Sequence, residues 1–198
     1  MNSPLTQHRS SFLLALILAG TLQAQTTPSR PDAPKTLQPP TDQVLFLHLQ
    51  GKGQQIYVCG TSTDGAPTWK FKAPEAKLYG ANGELAGHHF AGPTWQANDE
   101  SKVVGKVAAT VPSPDANSVP WLLLTMVSRS EKGIFSRVRS IQRLATKGGV
   151  APPAGCSASN QKEEISIPYE ASYYFYGEPQ VGVPNRFPQV GVPNRFPK

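Results

Sequence analysis

The 198-residue chain has 16% charged and 38% hydrophobic residues and a formal charge of +6, enough length and apolar content for one domain with its own core. No apolar run reaches the roughly 20 residues a membrane-crossing helix needs, so no transmembrane segment is expected in the mature chain. Two cysteines without a Cys-x-x-Cys pair argue against a structural zinc site, and the mild charge of the folded part, with no recognised binding motif, argues against nucleic acid as a partner.

Met1 to Ala24 reads as a secretory signal peptide, with Arg9 in a polar start, an apolar run from Phe12 to Ala19 and a small-residue exit at Gly20 to Ala24. An extracytoplasmic location, periplasmic or secreted, follows. Residues 25–43 carry Pro28, Pro31, Pro34, Pro39 and Pro40 among polar residues and read as an extended linker. The β domain is expected over 44–177. Val44 to Gln50 and Gln54 to Cys59 flank Gly51-Lys52-Gly53, which predicts a hairpin with a glycine loop. Thr68 to Lys72 alternates Trp69 and Phe71 with lysines, a strand with its aromatic side toward the core. Gly80 to Gly83 is a turn.

Val103 to Val111 and Val119 to Val127 are β-rich, and the run Trp121 to Val127 is apolar enough to be buried on both faces. Ile134 to Ala145 admits two readings: Ile134, Val138 and Ile141 form a helical stripe, whereas Val138 to Thr146 suits a strand. Ile165 to Phe175 keeps a period of two throughout, with Pro168 marking an edge or bulge. Beyond Gly177 the chain repeats Pro-Gln-Val-Gly-Val-Pro-Asn-Arg-Phe at Pro179 to Phe187 and Pro188 to Phe196; two copies cannot stack as a solenoid, so 178–198 is expected to be a disordered tail. Short strands punctuated by glycine and proline predict an all-β fold, an antiparallel β-sandwich or barrel with at most one or two short helices.

Cys59 and Cys156 are an even pair in an exported chain, and a disulfide between them is expected. Arg129, Lys132, Arg137, Arg139, Arg143 and Lys147 fall in one stretch against a single Glu131, the place for any anion-attracting surface. Gly51-Lys52-Gly53 starts like a dinucleotide fingerprint but lacks the third glycine and the following helix. P-loop, Gly-x-Ser-x-Gly and His-Glu-x-x-His patterns do not occur, and no cofactor or metal is implied.

The densest chemistry lies between Gly87 and Asp99, where His88, His89, Trp95 and Asp99 come together. In an extended chain the two histidines face opposite ways, so one of them would join a site that a Gly92-Pro93 turn completes with Trp95 and Asp99. A histidine beside a carboxylate can act as a base or ligand, and an exposed Trp95 could stack on a sugar or ring. The competing reading is a structural loop whose polar groups satisfy backbone atoms. Trp121 is expected in the core.

The series Gln54 to Cys59, Trp69-x-Phe71-x-Ala73-Pro74-Glu75-Ala76-x-Leu78, Gly87 to Trp95, and Ile141-Gln142-Arg143 through Gly148-Gly149 to Cys156 resembles the domain of unknown function 3455 over roughly 44–177. The resemblance implies a secreted or periplasmic microbial domain with Cys59 and Cys156 paired, and carries no established activity. The reading favoured by the residues is a non-enzymatic binding module for a small polar ligand, a glycan or an envelope component. The alternatives are a secreted hydrolase or metal-dependent enzyme using the His88 to Asp99 segment, and a structural envelope protein.

Overall fold

The computed structural model describes residues 29–179; the expected signal peptide, 1–24, and the expected tail, 178–198, fall outside the described residues, apart from Glu178 and Pro179. The described residues form eight strands: β1 (Val44–Thr61), β2 (Pro67–Tyr79), β3 (Leu85–Phe90), β4 (Thr94–Ala97), β5 (Lys102–Val111), β6 (Trp121–Arg129), β7 (Val138–Gly148) and β8 (Glu164–Gly177). Each pairs antiparallel with the next in sequence, and β8 returns to pair with β1, closing a barrel. Among the described residues the helical content is three 3-10 turns of three or four residues. All-β barrel is therefore the observed class.

Closure depends on β1. It is one 18-residue strand, not the expected hairpin, because Gly51 and Gly53 serve close packing rather than turning. A Cβ on Gly51 would lie 2.6 Å from the Tyr173 ring, and one on Gly53 would lie 2.1 Å from the Glu75 carbonyl. Within a strand, glycine lets another chain segment come this near. The freed length lets β1 pair with β2 over Gln50–Thr61 and with β8 over Val44–Val58, so that one strand forms the seam.

Strand alternation then sorts side chains inside and out. Leu49, Tyr57, Leu78, Trp95, Leu124, Ile141, Tyr169, Tyr173 and Phe175 are buried and face inward. Lys52, Lys77, His88 and Lys106 are exposed on the outer face, where a lipid-facing barrel would carry an apolar band instead. Antiparallel order places the turns at 80–84, 98–101 and 130–137 at one end. The connections at 62–66, 91–93, 112–120 and 149–163 lie at the other.

The first end is plugged. The 3-10 turn Ile134–Arg137 inserts Phe135, which stacks on Phe175 with ring centroids 4.9 Å apart, and the Arg137 guanidinium lies 4.3 Å from the centre of the Phe46 ring. The two readings of this stretch are thus decided: a single turn, then the strand Val138–Gly148. A barrel has no free edge for a helix to replace, and β8 needs β7 as its partner.

Part of the expected linker, 29–43, lies against the outside of the barrel. Leu37 is fully buried in an outer cluster with Leu45, Leu123, Leu144, Tyr174 and Tyr176. Gln142 donates to the Leu37 carbonyl at 2.7 Å and accepts from the Tyr176 hydroxyl, while Arg30 donates to the carbonyls of Pro39, Pro40 and Gln43. This clasp explains why Leu123 and Leu124 are buried on opposite faces of β6, as expected, whereas Val127 beyond it is 64% exposed. Pro168 lies one residue before Tyr169, the first residue of β8 paired with β7 from that end, where the missing N–H costs no ladder bond on that side.

Candidate ligand-binding cavity in the barrel lumen

From the plug an aromatic column fills the barrel toward its other end. Phe175 meets Trp95 edge-on at 6.3 Å, and Trp95 meets Tyr173 edge-on at 5.6 Å and stacks on His89 at 4.3 Å. Above this floor the lumen is hollow. The cavity has a volume of about 410 Å³ and is walled by Phe71, Pro74, Pro93, Val107, Val119, Leu122 and Leu124, with Gln55, Tyr57, Lys72 and Arg143 as its polar additions. Phe71 and Val107 are 55% and 47% exposed. They form the rim, so the aromatic side of the Trp69-Phe71 strand meets the mouth rather than the core.

Loop bonds hold the mouth in shape. Cys59 and Cys156 form a disulfide that joins the end of β1 to the 149–163 connection, confirming the expected pairing. The Tyr57 hydroxyl donates to the Gly149 carbonyl at 2.6 Å, and Trp69 donates to the Ala154 carbonyl at 3.0 Å. Next to Gly149, Thr146 donates to the Val119 carbonyl at 2.6 Å. The connections around the mouth are therefore tied to strands rather than left loose.

Several polar groups face the interior. His89 Nδ1 lies 2.8 Å from the Thr94 carbonyl, which can only accept, so Nδ1 carries the proton and Nε2 is the acceptor. Burial lowers its pKa to about 3, and the nearby Arg143 charge acts in the same direction, so the ring is neutral. Gln55 Nε2 and Trp95 Nε1 are buried with no hydrogen-bond partner among the described residues. Tyr169 and Tyr173 pair their hydroxyls at 3.1 Å, and burial raises the pKa of both. Arg143 donates through Nε and Nη2 to the Pro120 carbonyl at 3.2 and 2.8 Å.

The four residues singled out between Gly87 and Asp99 separate. His89 and Trp95 are cross-strand partners on the inside, but His88 points outward opposite Lys77 and Gln96. Asp99 lies at the plugged end, where its carboxylate accepts from the backbone of Ser101 at 3.0 Å and of Ile134 at 2.7 Å. These bonds lower its pKa, against the effect of burial. The segment is a hairpin running the height of the barrel, so its two ends cannot meet. Trp95 is 1% exposed and packs in the core, and Trp121 lies half-buried against the outer cluster, the reverse of the expected assignment.

Gln55, Tyr57 and Tyr173 line the cavity without having been singled out, and Arg143, named above only as part of the basic stretch, lines it too. A signal for each was present in strand alternation: Ile141 and Arg143 share a face, as do Gln55 and Tyr57, and the first of each pair is buried. The basic stretch does not form one surface. Arg139 pairs with Glu178 outside, Arg137 covers Phe46, and Arg143 turns into the lumen.

An eight-stranded antiparallel barrel, plugged at one end and hollow at the other, belongs to the architectural class whose interior is either filled by side chains or roomy enough for one small molecule. The family model described as protein of unknown function (DUF3455) matches residues 40–177, and the chain belongs to that family. The matched span takes in all eight strands. No curated protein and no solved structure matches the chain.

Proposed function

We propose that this protein is an extracytoplasmic binding module that holds one small molecule, with a substantial apolar body, inside the barrel lumen. The observation that carries this reading is the cavity of about 410 Å³ at the unplugged end, a volume typical of small-ligand sites, with apolar walls and a few convergent polar groups. The Cys59–Cys156 disulfide supports an oxidising compartment. The alternative of a hydrolase or metal-dependent enzyme using the His88 to Asp99 segment finds less support, because His88 points outward and Asp99 bonds to Ser101 and Ile134 at the plugged end, away from His89. A glycan or other polar ligand finds less support than an apolar one, because the intended stacking surface, Trp95, is enclosed.

A neutral fluorescent dye, N-phenyl-1-naphthylamine, tests the reading on the mature protein. One dye per chain should bind with enhanced emission and raise the melting temperature, since a ligand that binds only the folded state stabilises it. Val107→Trp, at an exposed rim position, should weaken binding at least tenfold while leaving the circular dichroism spectrum unchanged. Absence of saturable dye binding, or equal binding by Val107→Trp, would overturn the assignment.

A further inference from the structure

The cavity lining contains two cations and no carboxylate. Lys72 is answered at the rim by Glu164, and His89 is neutral in its buried stack. Arg143 is not answered: the ion pairs among the described residues join Lys52 to Glu170, Lys72 to Glu164 and Arg139 to Glu178. One edge of its guanidinium is held by the single carbonyl of Pro120. A carbonyl orients the fork but does not neutralise it.

A second observation is independent of that charge. Gln55 is 2% exposed, lines the same cavity, and its amide nitrogen has no well-formed hydrogen bond among the described residues, the Tyr169 hydroxyl being the acceptor within its reach. The indole nitrogen of Trp95 in the floor has no hydrogen-bond partner among the described residues. An orphaned buried donor is costly, and a half-buried guanidinium without a counter-ion attracts an acceptor that carries negative charge. Charge-assisted bonds from a planar guanidinium to a carboxylate are among the stronger ones available.

We propose that the ligand of this cavity is an amphipathic acid, its carboxylate held by Arg143 and its apolar body lying along Leu122, Leu124 and Phe71. The proposal rests on the lumen-binding reading above and specifies the chemistry of its ligand. The same body without the charge should bind more weakly, and a cationic head should be repelled by the guanidinium.

Calorimetry on the mature protein at pH 7, with octanoate, methyl octanoate, octanol and octylamine, separates these cases. Octanoate should bind about tenfold or more tighter than its methyl ester or the alcohol, consistent with a hydrogen bond to a charged group, and octylamine should bind most weakly. Arg143→Gln should bring octanoate down to the ester while leaving octanol within about twofold, and Arg143→Lys should keep part of the preference. If Arg143→Gln does not fold, the ratio of octanoate to methyl octanoate on the unaltered protein decides. Equal binding of acid, ester and alcohol, or a preference for the amine, overturns the acid proposal but leaves lumen binding standing. So does dye binding with no binding of any octyl compound. Failure of dye and octyl compounds together overturns both.

Discussion

His89 should make this protein acid-sensitive by an amount that can be isolated. The ring is enclosed by Trp95, Tyr173 and the Thr94 carbonyl, and its pKa falls from 6.5 to about 3, chiefly through desolvation. Between those values the unfolded chain binds a proton at this position and the folded chain does not. Its contribution to stability is therefore complete above pH 6.5 and is lost as pH falls toward 3. The slope is about 1.4 kcal/mol per pH unit, so the loss by pH 4.5 is roughly 2 to 3 kcal/mol. His89→Phe retains a ring on Trp95 and removes the titration, at a constant cost of about 1 to 2 kcal/mol for the lost bond to Thr94. Urea unfolding, followed by tryptophan fluorescence at pH 7.5, 6, 5 and 4.5, should show the variant less stable at the top of the range and level with, or above, the parent at the bottom. His48, lowered to about 4 by burial, and the carboxylates Asp64, Asp99, Asp115 and Glu178 titrate in both proteins and cancel in the difference. Parallel curves would refute a neutral, enclosed His89.

Two further perturbations address the parts that shape the cavity. Replacing Cys59 and Cys156 together by Ser opens a loop with a sequence separation of 97 and should cost about 2 to 5 kcal/mol, with faster proteolysis in 149–163; an unchanged calorimetric melting temperature would contradict a structural role. Leu37→Ala should cost about 2 to 4 kcal/mol by leaving a void under the outer clasp, and should speed cleavage within 29–43, measured by urea unfolding and limited trypsin digestion. A loss below a few tenths of a kcal/mol would show that the clasp adds nothing to the barrel.

Much of the strand content could be read locally because inward and outward residues alternate. Ile165 to Phe175 declared its face over its whole length, and Val103 to Val111 emerged within one residue of β5. The hairpin expected at Gly51-Lys52-Gly53 failed for an equally local reason: glycine permits a turn and also permits close approach, and only the position of Tyr173 and Glu75 distinguishes the two. The Gly87 to Asp99 cluster misled through proximity in sequence. Over a hairpin that spans the barrel, residues a few places apart can lie at opposite ends.

By itself, then, the sequence determined the all-β class, the period-two faces, the opposite orientations of His88 and His89, and the partnership of the two cysteines, because each follows from neighbouring residues or from composition. Tertiary structure alone decided that β1 and β8 close the sheet, that Phe135 plugs one end, and that Arg143 enters the lumen unpaired while Asp99 leaves it. Those outcomes depend on registers between strands distant in sequence. Which end of a barrel is filled and which is hollow depends on side-chain volumes contributed by all eight strands together.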